Sequence, residues 1–114
     1  MDVILAYQEA EELRKEVEAL VDEMRRDGCQ LAEDEKEYRR LRAVRTLEFR
    51  EKGLQVTLIR DVVSGLDDVS EARRQRDESD VLYKTDHEAL LFKKMQYRAL
   101  QDQISREYGR PSNQ

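Results

Sequence analysis

Residues 3–24 read VILAYQEAEELRKEVEALVDEM, and this stretch decides the fold. Its apolar residues recur every three or four positions, at Val3, Ala6, Ala10, Leu13, Val17, Leu20 and Met24. That spacing places them on one face of an α-helix and leaves the charged residues on the other faces. The stretch therefore predicts an amphipathic helix.

The same apolar stripe continues beyond Gly28 with Leu31, Tyr38, Leu41, Val44 and Leu47. Its register is unbroken at Gly28, although glycine costs about 1 kcal/mol relative to alanine inside a helix. Gly53 stands just after the last turn, where glycine commonly ends a helix. We predict one long helix over about residues 2–52, with a local bend at Gly28, and two helices joined by a turn at Gly28 are the alternative.

Residues 53–66 are predicted to be a connector. They are rich in β-branched side chains, but a lone strand would have no partner in this chain. We therefore predict a short helix that begins at Thr57 as its N-cap and ends at Ser64, closed by Gly65.

A second long helix is predicted over about residues 67–108. The residues from Asp68 to Glu71 have the spacing of a capping box, and Gly109 followed by Pro111 stops the helix. Residues 110–114 are predicted to be a disordered tail.

These elements predict an all-α fold in which two long helices form an antiparallel hairpin, as a single domain over residues 1–109. A turn centred near residue 59 would place Leu90 opposite Gly28 and Arg76 opposite Arg42.

Four apolar side chains exceed what one hairpin seam can cover. We predict that they form an oligomer interface, and that the protein is a homo-oligomer, with a dimeric helical bundle as the simplest closed form. The predicted interface residues are Phe49, Leu82, Leu91 and Phe92.

The charge of the chain is strongly segregated along its length. Its net charge of −5 divides into −8 for residues 1–37 and +5 for residues 38–60, with smaller contributions beyond. This balance argues against direct binding of duplex DNA. No apolar run is long enough to span a bilayer, and the acidic start is unlike a secretory signal. With Cys29 as the only cysteine, the sequence predicts a cytoplasmic location.

No set of residues suited to catalysis is evident. His87 is the only imidazole, it lacks the second histidine of a zinc-protease motif, and Lys84 replaces the glutamate of a di-iron motif. Cys29 stands in an acidic stretch, and reactive cysteines are typical of electropositive surroundings, so we predict an unreactive thiol. We predict no catalytic residue, no metal site and no cofactor, so that the protein is not an enzyme.

A cluster of arginines is the one constellation that indicates binding chemistry. In the hairpin, basic residues from both long helices would meet near the connector, where guanidinium groups suit phosphate. The predicted ligand-binding residues are Arg42, Arg45, Arg73 and Arg76. The alternative is a network of salt bridges with nearby acids such as Glu48 and Asp77.

The chain resembles small helical accessory proteins encoded by phages and prophages. The resemblance covers about residues 35–109, and it rests on Tyr38-Arg39-Arg40, on the segment from Gly53 to Asp61 with Gly65, on Arg76-Asp77, Tyr83 and Glu88-Ala89, and on the segment from Ile104 to Gly109. It implies a viral origin and an accessory role in the host cell, and it transfers no catalytic residue.

Three functions are compatible with these features. The first is a counter-defence protein that sequesters an anionic nucleotide signal or blocks a host protein. The second is an accessory to phage DNA recombination or replication. The third is a protein of virion assembly or scaffolding. We expect the first, with the protein itself as a further partner.

Overall fold

The computed structural model describes residues 2–109, and it contains three helices. They are α1 (Val3–Glu51), α2 (Val56–Ser64) and α3 (Asp67–Tyr108). Within residues 2–109 there is no strand, so the predicted all-α class is confirmed. The predicted disordered tail, residues 110–114, lies outside the described residues.

The helix α1 is continuous through Gly28, as the unbroken stripe predicts. Asp2 caps its start, because the Asp2 carboxylate accepts a hydrogen bond from the backbone N–H of Ile4 at 2.7 Å. Gly53 adopts a left-handed backbone with a φ of 82° just beyond its end. There the N–H of Gly53 donates to the carbonyl of Arg50, and that of Leu54 donates to the carbonyl of Phe49. This is a Schellman motif, which satisfies the last carbonyls of the helix.

The predicted N-cap of α2, Thr57, is wrong by two residues. The Schellman motif of α1 ends at Leu54, so Gln55 is the first residue that can supply an extended N-cap backbone, and its φ and ψ are −63° and 138°. The carbonyl of Gln55 then accepts from the N–H groups of Leu58 and Ile59, which places Thr57 inside the first turn. Gly65 follows the helix as predicted, in a right-handed conformation.

The predicted capping box at the start of α3 does not form. The helix begins at Asp67, as predicted, but its N-cap is Leu66, two residues before Asp68, because the carbonyl of Leu66 accepts the N–H of Ser70 at 2.8 Å. Asp68 therefore lies inside the first turn, where its carboxylate pairs with Arg45, while Glu71 pairs with Arg74.

The described residues pack into two compact units. The first unit contains residues 2–25 and 84–109. In its core, Ala6 and Ala10 of α1 pack against Leu100 and Ile104 of α3. Leu13 and Tyr97 pack against this cluster. Lys93 pairs with Glu16 at 2.9 Å, and the two helical segments of this unit run antiparallel.

The second unit contains residues 26–83 and includes all of α2. Its core joins the three helices through Tyr38, Ile59, Val63, Val69 and Ala72, with Leu41, Phe49, Leu54 and Leu66 packed against them. The helix α2 contributes Ile59 and Val63, which lie four residues apart and are both almost fully buried. The connector is therefore part of a hydrophobic core.

The predicted pairing of residues across the helices is wrong. Gly28 lies against the ring of Tyr83, seven residues before the expected Leu90. Arg76 lies beside Glu35 and over the ring of Tyr38, and Tyr38 is four residues before the expected Arg42. The reason is that α1 extends beyond the level at which α3 begins, because Asp68 pairs with Arg45 while α1 continues to Glu51.

Candidate anion-binding site

Arg45 lies at the junction of α1 and the first turn of α3, within the second unit. Its Nη2 donates a hydrogen bond to Asp68 at 2.7 Å, and its Nη1 donates to Glu48 at 2.9 Å. These hydrogen bonds raise the pKa of the Arg45 guanidinium and lower the pKa of the Asp68 carboxyl. Both acids are within the chain, so this predicted ligand residue has internal partners.

Arg76 also has internal partners. Its Nη2 donates to Asp77 at 2.8 Å, its Nε lies 3.5 Å from Glu35, and its guanidinium stands 4.5 Å from the centroid of the Tyr38 ring. The hydrogen bond to Asp77 raises the pKa of Arg76. The Arg76 guanidinium is thus stabilised by two carboxylates and an aromatic face.

The other two predicted ligand residues, Arg42 and Arg73, line a surface cavity of about 1100 Å³ in the second unit. Arg42 extends from α1 with its guanidinium 5.1 Å from the centroid of the Tyr38 ring. Arg73 reaches the cavity from α3. Among residues 2–109, neither arginine forms an ion pair with a carboxylate.

Two further arginines, Arg50 and Arg60, line the cavity and were not among the four predicted ligand residues. Arg50 lies eight residues after Arg42 on α1, and Arg60 comes from α2. Neither has an ion-pair partner in the described part of the chain. The spacing of Arg42 and Arg50 on one face of a helix was a readable signal. The position of Arg60 depends on how α2 packs, which no local pattern contains.

The rest of the cavity wall is mostly apolar. It is formed by Ala43, Leu47, Val56, Ile59 and Val63. Arg39 also lines the cavity, but it pairs with Glu35 at 2.7 Å. Among the lining residues that belong to the described part of the chain, Asp61 is the only acid. The cavity therefore offers a positive rim over an apolar surface, which suits a ligand that carries both an anionic and an apolar part.

Two hydroxyl groups that line the cavity donate hydrogen bonds to backbone carbonyls of their own helices. Thr46 donates to the carbonyl of Arg42 at 2.7 Å, and Ser64 donates to the carbonyl of Asp61 at 3.0 Å. No imidazole or thiol is among the lining residues drawn from the described chain. Cys29 and His87 are both exposed and lie outside this cavity. The arrangement has the chemistry of binding: guanidinium donors over an apolar wall.

The predicted interface residues are found in different surroundings. Phe49 is half-buried and packs against the core of the second unit, with Lys52 Nζ 5.2 Å from its ring centroid. Leu82 in the second unit is exposed. Leu91 and Phe92 in the first unit are exposed to 43% and 60%. Phe49 is thus explained by packing within its own unit, whereas the other three present open apolar surface.

Within residues 2–109, no helix combines the length and apolar content that are needed to cross a bilayer. Comparisons with protein-family models, with curated proteins and with solved structures give no significant match to this chain.

Proposed function

We propose that this protein is a non-enzymatic binding protein whose arginine-lined cavity takes a phosphate-bearing ligand such as a nucleotide. One observation carries the proposal. Arg42, Arg50, Arg60 and Arg73 line the same cavity and have no carboxylate partner in the described chain. Elsewhere on α1 and α3, arginines such as Arg14, Arg40 and Arg74 are paired with acids on their own helix.

Unpaired guanidinium groups around one cavity are suited to phosphate. A guanidinium presents several N–H donors in a fixed plane, and its hydrogen bonds to phosphate oxygens are stronger than those between neutral groups. Four such groups around one cavity repel each other, and a bound polyanion relieves that repulsion. The apolar wall that includes Leu47 and Ile59 would then contact a nucleobase or sugar.

The proposed role is sequestration of an anionic nucleotide signal. The group of phage accessory proteins that the sequence resembles is compatible with such a role, because it requires affinity and no turnover. A cavity of about 1100 Å³ has room for a nucleotide together with its phosphates. The net charge of −5 and the excess of acids in residues 1–37 disfavour long duplex DNA as the ligand.

The test is calorimetric titration of the full chain with cyclic and linear nucleotides and with inorganic pyrophosphate. The Arg73→Ala variant should bind the best nucleotide about tenfold more weakly, or worse, since a charge-assisted hydrogen bond contributes about 1.5–3 kcal/mol. Arg74→Ala is the matched control, because Arg74 adjoins Arg73 but pairs with Glu71 and does not line the cavity.

The salt dependence of binding provides a second readout. The affinity of the wild-type protein should fall as salt is raised, and that of Arg73→Ala should fall less steeply, because one phosphate contact has been removed. If no nucleotide and no pyrophosphate binds the folded protein, the proposal is wrong.

A second candidate occupant is an acidic segment of another protein. Leu47 and Val56 at this cavity are exposed to 57% and 74%, and apolar side chains of such a segment would pack on them. Blocking of a host protein would use the same arginines. The two candidates differ in the titration, because only the first predicts binding of free nucleotides.

A further inference from the structure

The outer face of α3 in the first unit carries an apolar stripe with no partner in its own unit. Phe92 and Met95 are exposed to 60% and 67%, and Ala99 follows at the next helical step. The opposite face of the same segment carries Leu100 and Ile104, which are buried against Ala6 and Ala10. The exposed stripe therefore lies on the side of α3 that points away from α1.

Two charged residues border this stripe. Glu88 lies four residues before Phe92, and Arg98 lies three residues after Met95. Both are exposed, and within residues 2–109 neither forms an ion pair. This differs from Arg14, whose guanidinium is held by Glu11 and Glu18 on its own helix. The stripe is thus apolar in its middle and is flanked by Glu88 on one side and Arg98 on the other, and the same helix face continues to the exposed Lys84 and Asp102.

We propose that this stripe pairs antiparallel with the same stripe of a second copy of the chain. In that arrangement Phe92 of each copy packs against Met95 of the other, because an apolar stripe with steps of three and four residues forms a coiled-coil seam. The same two-fold axis, which passes between residues 93 and 94, brings Glu88 of one copy beside Arg98 of the other. The contact is self-complementary, as a two-fold interface requires.

The charges decide the direction of the pairing. A parallel pair in register would place Glu88 against Glu88, and like charges destabilise such contacts. The antiparallel pair replaces this repulsion with two symmetry-related attractions. It also covers Leu91, whose side chain borders the stripe beside Met95 of the second copy. The occupant that fits both the apolar and the charged groups is therefore another copy of this face.

The experiment is a charge exchange monitored by sedimentation equilibrium and native mass spectrometry. The wild-type protein should have twice the 13.6 kDa mass of the chain at about 10 µM. Glu88→Arg and Arg98→Glu should each weaken the dimer by about tenfold or more, because each creates two repulsive contacts. The double variant Glu88→Arg/Arg98→Glu should restore the dimer.

Mixing the two single variants gives the sharpest result. One variant then carries arginine at both positions and the other carries glutamate at both, so only the heterodimer is complementary, and it should form in preference to either homodimer. Phe92→Ser should give a monomer, whereas Ile4→Glu, at a residue of the same unit that is 64% exposed but outside the stripe, should not. Circular dichroism would establish that each variant is helical.

Three results would overturn the inference: a monomeric wild-type protein, single variants that dimerise like the wild type, or a double variant that fails to recover. None of these results bears on the cavity, whose arginines are all in the second unit. Nucleotide binding can therefore be tested separately on the same preparations.

Discussion

The guanidinium of Arg45 holds one oxygen of the Asp68 carboxylate with two hydrogen bonds, from Nε at 2.9 Å and from Nη2 at 2.7 Å. Arg45 is on α1, and Asp68 is in the first turn of α3. The pair therefore fixes the level at which α3 begins along α1 within the second unit. A residue that the sequence suggested as a ligand contact is used instead to set the register.

This pair predicts an acid-sensitive contribution to stability. Hydrogen bonding from Arg45 lowers the pKa of Asp68 below its ordinary value of 3.8. The contribution is present above the unfolded-state pKa and is lost as the pH falls through the folded-state pKa. Wild type should therefore exceed Asp68→Asn in unfolding free energy at neutral pH, and the difference should shrink below about pH 4. Denaturant unfolding at several pH values measures it. Asp67→Asn is the control, and an equal pH dependence there would contradict the assignment.

Arg45 and Arg73 should separate stability from binding. Arg45→Ala removes the contacts to Asp68 and Glu48, so it should lower the midpoint of thermal unfolding and leave nucleotide affinity nearly unchanged. Arg73→Ala should weaken nucleotide binding and leave the midpoint of thermal unfolding nearly unchanged, because Arg73 lines the cavity and has no ion-pair partner in residues 2–109. Differential scanning fluorimetry and calorimetry on both variants test this. Equal loss of affinity in the two variants would mean that the site is placed wrongly.

Adjacent valines of α2 should differ strongly in their effect on stability. Val63 is 2% exposed in the core of the second unit, whereas Val62 is an exposed residue of the same helix. Val63→Ala should reduce the unfolding free energy by about 2 kcal/mol, from lost burial and an incompletely filled cavity. Val62→Ala should change it by about 0.5 kcal/mol or less. Urea unfolding measures both, and similar losses would show that α2 does not pack as described.

Gly28 and Tyr83 should be energetically coupled. A Cβ added at Gly28 would lie 3.1 Å from Cε2 of Tyr83, closer than ordinary van der Waals contact. Alanine gains about 1 kcal/mol of helix propensity over glycine, and this contact opposes the gain. In a Tyr83→Leu background the contact is gone, so Gly28→Ala should be more favourable there by about 0.5–1 kcal/mol. A double-mutant cycle measures the coupling, and a value of zero would contradict the close approach.

Local signals were sufficient for the helices, because each acts over a few residues. The stripe from Val3 to Leu47 predicts α1, and Gly53 predicts its end, within one or two residues of the observed bounds. The pairing of the helices could not be predicted in the same way. Tyr83 lies against Gly28 where Leu90 was predicted, which is a shift of α3 by seven residues. Seven residues are about two helical turns, so the same face of α3 packs against α1 in both registers. The apolar pattern therefore fits both registers almost equally.

The candidate cavity depends on that register and on α2. Arg42 and Arg73 were predicted from their charge and from their approximate position along the helix axes near the connector. Both line the cavity. Arg45 and Arg76 were predicted for the same reason, but contacts to Asp68, Glu35 and Asp77 engage them. Which arginines have acids within reach is a consequence of tertiary packing. A count of charges along the sequence cannot distinguish the two groups.

The left-handed backbone of Gly53 has a consequence that concerns chirality. Its φ is 82°, yet no atom beyond its chain neighbours lies within 4 Å of an added Cβ. An L-residue is disfavoured here by its own backbone, at a cost of about 1–2 kcal/mol. A D-residue has the mirror-image preference, so its backbone is relaxed at this φ. Gly53→D-Ala, introduced by chemical synthesis, should therefore stabilise the protein, whereas Gly53→L-Ala should destabilise it. At this position the handedness of a residue is selected by the backbone itself and not by a neighbouring side chain.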